Sequence, residues 1–562
     1  MSGRLDGTGV SPGVVAGPVA RMAAPIAAPP PGSGSGHGSG PGVASGPAAG
    51  DVDAEAARAL DALTGAADDL DRRASVAPNL AAEVLAAQAM MARDPVLASK
   101  VTDRVKTGSD ALTALTEGFG EFRSLLEAAG PYLAERVADL DDVRDRAVAY
   151  LLGVAMPEIP RPGHPFVLVA EDLSPAETAT LDPSEVLAIV TERGGPTSHT
   201  AILAKALGVP AVVACGGAAE LVDGQSILVD GRAGTVDVSP SETEIASALA
   251  GHNARLAAVA AARGAGRTAD GHPVALLVNI GGARDLEAAA AVEPEGVGLF
   301  RTEFLFLDRP DAPSVAEQRE AYRAVFEAFA GRKVVVRTLD AGADKPLRFV
   351  TQPDEPNPAL GVRGLRTARR LPELLDRQLE AIAEAARGSE ADVWVMAPMV
   401  STAAEAAGFA SRARDHGLPT VGVMVEVPAA ALRAEHVAAA CDFLSIGTND
   451  LAQYVLAADR MNSDLGDLLD PWQPAVLELI RLTAAAGQRL GKPVGVCGEA
   501  ASDPQLALVL VGLGVTSLSM APVALPEVRA TLAEHSIEDC RALADAVLAA
   551  SDAATARQIA GR

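Results

Sequence analysis

From residue 271 onward, eight short apolar runs recur with helix-patterned stretches between them. The runs are 274–280 (VALLVNI), 296–300 (GVGLF), 333–338 (KVVVRT), 392–397 (DVWVMA), 420–425 (TVGVMV), 443–446 (FLSI), 493–497 (PVGVC) and 517–520 (SLSM). Helical periodicity fills stretches such as 315–329, 371–387, 403–415 and 474–489. Short continuous apolar runs suit strands buried on both faces, and parallel neighbours need a crossover long enough for a helix. Eight such units in roughly 290 residues predict a (β/α)8 barrel. An open doubly wound sheet usually has fewer strands, and no GxGxxG follows a strand here to support a dinucleotide fold.

In such a barrel the active site forms where the strands end at the C-terminal face. Reading just past each apolar run gives Arg301 in GLFRTEFLFLDR, Arg337 in VRTLDAGADKP, Glu426 in GVMVEVP, Asn449 and Asp450 in SIGTNDL, and Cys497 in GVCGEA. Charges at buried strand ends are costly unless paired or liganded. Arginine clamps phosphate or carboxylate with two donors. Glu426 and Asp450, completed by substrate oxygens and water, suit the hard cation Mg²⁺. Arg363 in NPALGVRGLR and Arg460 in LAADR add positive charge downstream. The bland alternative is a set of salt bridges closing the barrel rim.

The N-terminal half is organised differently. Residues 9–20 (GVSPGVVAGPVA) are strand-like, and 24–50 form a Pro/Gly/Ser/Ala-rich tract that reads as a flexible loop. Residues 51–153 are helical in pattern, with Ala56, Leu60, Leu63, Ala67 and Leu70 at helical spacing in the first stretch. Residues 163–240 return to short β runs, and an Ala-rich helix over about 241–268 joins the two halves. Lys+Arg number 47 against 73 Asp+Glu, a net charge of −26. A chain this acidic is a poor binder of nucleic acid or anionic membrane, though a small basic site remains compatible with it. Cys215, Cys441, Cys497 and Cys540 form no CxxC pair. That excludes a zinc ribbon or disulfide scaffold and fits a reducing, cytoplasmic compartment. The first residues, MSGRLDGTGV, hold no apolar run of a signal peptide, and no apolar stretch reaches membrane-spanning length.

A second constellation is GGPTSHTAILAKALGVPAVV, residues 194–213. Two glycines permit a tight turn, Thr197 and Ser198 can cap a helix, and Ile202, Leu203, Ala206 and Leu207 give that helix a short amphipathic face, ended by Gly208 and Pro210. His199 falls in the first turn. There the orphan N–H groups and the helix dipole favour a neutral, nucleophilic imidazole and would stabilise an attached phosphoryl group.

Taken together, GGPTSHTAILAKALGVPAVV, GVGLFRTEFLFLDR, NPALGVRGLR, GVMVEVPAA, FLSIGTNDLAQYVLAADR and VGVCGEAASD resemble enzyme I of the bacterial sugar phosphotransferase system, the phosphoenolpyruvate–protein phosphotransferases. The resemblance runs from GVSPGVVAGPV to about LSMAP. It implies a multidomain α/β protein: a discontinuous swivel-type phosphohistidine domain (1–23 and 154–240), the 24–50 loop, an inserted helical domain that binds the carrier (51–153), a linker helix (241–270), and a barrel that binds phosphoenolpyruvate and dimerises (271–562). It implies that His199 is phosphorylated on Nε2 and that Arg301, Arg337, Asn449, Asp450 and Arg460 bind phosphoenolpyruvate, with Arg363 lining the same site. Glu426 and Asp450 match its magnesium ligands, and Cys497 its proton donor to the enolate. The implied activity passes the phosphoryl group to His199 and then to a histidine-containing phosphocarrier protein, the first step of sugar uptake. Pro196 stands where many relatives carry a basic residue, and Ala343 replaces a common glycine. The related pyruvate phosphate dikinases need a nucleotide-binding domain, for which the helical stretch 51–153 has neither a GxxxxGK[ST] motif nor room.

Overall fold

The computed structural model describes residues 3–23, 52–75, 79–128, 137–174, 177, 181–195, 198–307, 309–341, 346–351, 355–462 and 465–561; the side chains of residues 79–81, 127–128, 138 and 199 also lie outside it. The 24–50 tract, Pro196 and Ala343 therefore lie outside the described residues. Two units divide the chain, Met1–Ala254 and Arg255–Arg562.

The first unit contains an eight-stranded sheet: β1 (Arg4–Asp6), β2 (Thr8–Ser11), β3 (Val14–Arg21), β4 (Phe166–Ala170), β5 (Val186–Thr191), β6 (Ala211–Val213), β7 (Ser226–Asp230) and β8 (Thr235–Asp237). Their order is β1-β8-β7-β3-β4-β5-β6-β2. β3 to β6 run parallel and the flanking pairs antiparallel. The edge strands β1 and β2 are separated in the chain by Gly7 alone. A flat sheet of this order would hold them roughly 34 Å apart at the usual strand spacing. The sheet must therefore curl until its edges approach. Gly7 makes the junction: its N–H bonds to the Gly234 carbonyl at 2.8 Å, and a Cβ there would come 2.8 Å from the Val213 carbonyl oxygen.

Between β3 and β4 the described chain forms helices α1 (Val52–Ala74), α2 (Asn79–Ala92), α3 (Pro95–Lys106), α4 (Ala111–Ala128) and α5 (Val137–Leu152) around a core that includes Leu63, Leu70, Leu85, Leu97, Val101, Leu115 and Phe119. The buried stripe of α1 is Ala59, Ala62, Leu63, Ala66, Ala67 and Leu70, whereas Leu60 is exposed and Ala56 only half-buried. The sequence spacing placed this face slightly off its true centre. Small alanines, weak markers of hydrophobic pattern, let the neighbouring helices approach closely and so define it. Asp94 separates α2 from α3 by accepting the N–H groups of Val96 (2.7 Å) and Leu97 (3.4 Å), with Pro95 in the first turn. β5 leads through a turn into α6 (His199–Leu207), and α7 (Glu242–Ala261) spans the division between the units with no buried residue.

The second unit holds the barrel. Its strands are β9 (Ala275–Ile280), β10 (Gly296–Arg301), β11 (Lys333–Arg337), β12 (Asp392–Ala397), β13 (Thr420–Val425), β14 (Phe443–Ile446), β15 (Val494–Val496) and β16 (Ser517–Met520). All pair in parallel, and β16 closes onto β9. Each agrees with an apolar run to within one residue at either end. Alternation along the strands separates two cores. Val334 and Val336 face outward to helix residues such as Leu379 and Ile382, while Val335 faces inward with Met396, Met424 and Phe443. Phe300 meets Tyr322 edge-on at 5.8 Å. Behind them Gln378 donates to the Tyr322 hydroxyl (3.2 Å) and to Thr302 Oγ1 (3.0 Å), and accepts the Leu339 N–H (2.8 Å). One buried glutamine thus fixes the ends of β10 and β11. Among the described residues no helix is long and apolar enough to cross a membrane.

Phe300→Ala removes a fully buried ring from this outer core and is expected to destabilise the barrel by about 3–5 kcal/mol. Both tryptophans, Trp394 and Trp472, lie in the barrel unit, so their fluorescence in a denaturant titration reports the loss. An unchanged midpoint would refute the packing assigned to Phe300.

Candidate functional site

β10 and β11 end on Arg301 and Arg337, and the segments that follow β11 and β14, the second opening with the helix Thr448–Leu456, bring Arg363, Asp450 and Arg460 to the same mouth. Arg337 donates to Glu303 at 2.8 Å and lies 3.2 Å from Asp340. Arg363 reaches the same Asp340 at 3.2 Å and donates to Asp450 at 3.0 Å. Arg460 lies 3.6 Å from the other Asp450 oxygen. Acid and base thus alternate along one path, Glu303–Arg337–Asp340–Arg363–Asp450–Arg460. All but Arg460 are almost completely buried. The rim salt bridges weighed from the sequence do exist, but they form inside the mouth and leave the guanidinium groups only partly satisfied. The buried Nε of Arg301, Arg337 and Arg363 has no hydrogen-bond partner among the described residues.

Burial pulls the Arg337 and Arg363 pKa values down, yet the adjacent carboxylates, Glu303 and Asp340 for the first and Asp340 and Asp450 for the second, hold both above the ordinary guanidinium value. Glu426, one residue past β13, is different. One oxygen accepts the Met399 N–H at 2.5 Å, and no ion pair reaches it among the described residues. Met399 has φ +57, a left-handed conformation rare for a long side chain. A Cβ on Gly447 would stand 2.9 Å from the other Glu426 oxygen, so glycine there leaves that oxygen room. Burial, with Asp450 and Asp340 nearby, pushes the Glu426 carboxyl up to about 8.

Arg337 and Arg363 lower it, but not enough to offset burial and the two carboxylates, so further positive charge would be favourable there, and that makes a physical test for a cation. Among the described residues no three His, Cys, Asp or Glu groups gather as a metal cage. Glu426 and Asp450 would supply two carboxylates. Such a pair suits Mg²⁺, which commonly keeps waters and shares phosphate oxygens with one or two carboxylates.

Cys497 follows β15. Its sulfur receives the Ser445 hydroxyl at 3.3 Å and lies 3.5 Å from the Ile446 carbonyl, to which the thiol can donate. Burial pushes the thiol up to about 11, against the lowering effects of Ser445 and Arg337, so it is protonated at neutral pH. Asn449 is exposed in the first turn of the helix Thr448–Leu456 and accepts the Glu499 N–H at 3.1 Å.

Glu303, Asp340, Tyr454 and Ser445 did not emerge from the sequence. Glu303 and Asp340 lie two and three residues beyond the arginines at the ends of β10 and β11, where the chain has left the apolar run and no pattern marks which side chains turn back to the mouth. Tyr454, which meets Arg363 at 3.4 Å, stands one helical turn after Asp450. Ser445 is an inward position of β14 and carries no signal that separates it from filler.

In the first unit, Gly194 adopts φ +95 in the turn after β5, and the Ser198 N–H bonds to the Gly195 carbonyl at 3.0 Å. Ser198 caps α6 by accepting the Ala201 N–H at 3.3 Å, so His199 is the first helical residue; its side chain lies outside the described residues. Gly208 ends α6 in a left-handed conformation at φ +68. The helix face differs from expectation. Thr200, Ala201 and Ala204 are buried, while Ile202 is 49% exposed and Ala206 is also exposed. Small residues let α6 lie close on the sheet, with Ser11 Oγ donating to the Ala204 carbonyl at 3.4 Å, and this turns Ile202 outward.

Family models for three parts of phosphoenolpyruvate-utilising enzymes match this chain: the N-terminal domain over residues 6–136, the mobile domain over 162–234 and the phosphoenolpyruvate-binding domain over 257–537. The chain is 55% identical to a phosphoenolpyruvate-protein phosphotransferase of Streptomyces coelicolor, over 90% of this chain and 92% of that one. It is 43% identical to the protein of that description from Haloferax volcanii, over 90% and 91%. A third, from Staphylococcus carnosus, is 38% identical over 85% and 87%.

The raised Glu426 pKa gives a pH prediction with a definite sign. Between about 4.5 and 8 the folded state holds a proton that the unfolded state has released. This contribution to stability is full below the lower value and is lost as pH rises through the upper one. In magnesium-free buffer, the melting temperature of the wild type relative to Glu426→Gln should therefore fall from pH 5 to pH 8. A difference that stays flat with pH would show that burial does not hold Glu426 protonated in the folded state.

Proposed function

This chain belongs to the phosphoenolpyruvate–protein phosphotransferase family, and on that premise we propose that the barrel mouth binds phosphoenolpyruvate and that His199 takes its phosphoryl group. The observation that carries the reading is the set of buried Nε–H groups of Arg301, Arg337 and Arg363 that have no hydrogen-bond partner among the described residues, the last two close enough to Glu426 to act on its charge. Such donors are costly to bury and match an oxygen-rich anion. Arg301 and Arg337 at the strand ends bind the phosphate and carboxylate, with Arg460 and the exposed Asn449 completing the rim. Arg363 holds Asp340 and Asp450 in place. Glu426 and Asp450 would hold Mg²⁺, which when bound supplies positive charge to the phosphoryl and enolate oxygens. As the P–O bond breaks, its electron pair stays on the enolate oxygen and the phosphoryl group passes to His199, while the preset guanidinium groups offset the charge on both. Cys497, a neutral buried thiol, then gives its proton to the methylene carbon of the enolate and pyruvate forms.

His199 lies in one unit and this cluster in the other, so transfer requires the two to meet; α7 is the link across which that motion would run. The acceptor after His199 is a histidine of a small phosphocarrier protein, docked on α1–α5, where Met90, Val96 and Leu125 are exposed. We further assign the protein to the cytoplasm, as a barrel-paired homodimer acting at the first step of sugar uptake. The family membership supports these assignments, and the four free cysteines among the described residues fit the first of them, a reducing compartment.

His199→Ala should abolish labelling from [³²P]phosphoenolpyruvate while the circular dichroism spectrum is kept. Label retained in this variant would place the nucleophile elsewhere.

Metal and charge separate the roles at the mouth. Glu426→Ala is expected to raise the Mg²⁺ concentration needed for half-maximal phosphorylation and to be partly rescued by excess Mg²⁺. Arg337→Ala loses a charge-assisted contact worth on the order of 1.5–3 kcal/mol, which Mg²⁺ does not restore. Because Arg337 separates Glu303 from Asp340, this variant also loses thermal stability under either reading, so the metal midpoint is the deciding measurement. An unmoved midpoint in Glu426→Ala would remove that residue from the cation site.

A further inference from the structure

A (β/α)8 barrel interior is normally filled by layers of branched side chains. Here one side of it is hollow. β10, β14, β15 and β16 turn Gly298, Ser445, Gly495, Ser517 and Ser519 toward a cavity that also meets Lys333 and Cys497. Its free space is of the size that one or two waters occupy. Small residues keep it open: a Cβ on Gly495 would fall 2.5 Å from Ser517 Oγ, and one on Gly298 2.4 Å from Ser519 Oγ. Lys333 and Ser517 begin their strands and, like Gly495, are partly exposed, whereas Ser445 and Cys497 are buried. The cavity therefore opens toward solvent at the N-terminal end of the barrel and is closed at its inner end by the cysteine. The mouth with Arg337 and Glu426 is at the opposite end.

At the inner end polar groups stand beside the apolar cluster that Cys497 shares with Val335 and Phe443. Ser445 donates to the Cys497 sulfur at 3.3 Å, Asn279 donates to the Cys497 carbonyl at 3.0 Å, and Ser519 donates to Asn279 at 2.6 Å. We propose that this cavity is the route by which Cys497 recovers its proton, with Ser445 as the relay and the N-terminal end of the barrel as the entrance. The proposal rests on the reading of Cys497 as proton donor. In the first step the Cys497 S–H bond breaks, a C–H bond forms at the methylene carbon of the enolate, and thiolate and pyruvate result. In the second the Ser445 hydroxyl gives its proton to the sulfur and takes one from a cavity water, which is replenished from solvent; one solvent proton is consumed per pyruvate formed. A back entrance serves this chemistry because the substrate fills the front one. Burial opposes a lasting thiolate, since it pushes the thiol up to about 11. Ser445 is in this sense a positioning and relay residue: it touches the donor and not the substrate.

Exchange of the pyruvate methyl protons in D₂O isolates these steps, because it needs no transfer to His199. The full chain with Mg²⁺ and pyruvate is followed by proton NMR, alongside Cys497→Ala, Ser445→Ala, Ser445→Thr and Gly495→Ala. Wild type should exchange and Cys497→Ala should not. Ser445→Ala should lose about ten-fold or more in maximal exchange rate at unchanged pyruvate KM. Ser445→Thr, which keeps the hydroxyl, should recover most of that rate. Gly495→Ala narrows the cavity without touching Cys497 and should slow exchange too, a check that stands even if the serine variants fold poorly. Exchange by Ser445→Ala or Gly495→Ala within two-fold of wild type, with Cys497→Ala inactive, overturns the relay and leaves the cysteine's role intact. Full exchange by Cys497→Ala, or none by the wild type, overturns that role and the relay with it.

Discussion

The chain of buried ion pairs across the barrel mouth is the constraint on which the site depends. Glu303, Arg337, Asp340, Arg363 and Asp450 are each almost completely removed from water. A single member left unpaired there would cost several kcal/mol, so the set is stable only as a set. Alternation of acid and base gives each interior member two opposite neighbours, and it fixes the loops after β10, β11 and β14 relative to one another. Those loops come from distant parts of the sequence, and barrel closure alone brings them together. The geometry of the mouth is in that sense a property of the closed barrel.

The same chain sets the electrostatics. Its arginines stay charged because carboxylates flank them, yet the Nε groups of Arg337 and Arg363 remain unengaged among the described residues. Glu426 stands outside the alternation, and burial with Asp450 and Asp340 raises its pKa more than Arg337 and Arg363 lower it. Unused donors on one side and a carboxylate short of a cation on the other describe a site complementary to an anion and a divalent ion together. Burial that would be a liability in a structural salt bridge becomes preorganisation here, since the groups need no reorientation as charge develops.

The first unit meets a different constraint. With Gly7 as the only residue between β1 and β2, the sheet has to curl, and α6 lies close against it through alanines. Ser198 then sets the start of α6 at His199, so the residue read as the nucleophile stands where the helix N–H groups are unpaired.

The sequence alone determined the barrel, because a strand buried on both faces must be apolar throughout and therefore shows as a run. Arg301, Arg337, Glu426, Asn449 with Asp450, and Cys497 stood out as candidates for a related reason: polar groups at the end of such a run mark where the strand leaves the core. The cap and glycine stop of α6 were legible because Ser198 and Gly208 act on their immediate neighbours. Only the tertiary structure decided how the charges pair. Asp340 joins Arg337 to Arg363, and Arg363 joins Asp450, across 87 residues of chain, which no local pattern encodes. It also decided which face of α1 and of α6 is buried, because alanines that permit close approach leave little hydrophobic signal. Ser445 and Gly495 acquire meaning only beside Cys497, when adjacent strands of the closed barrel leave a hollow between them.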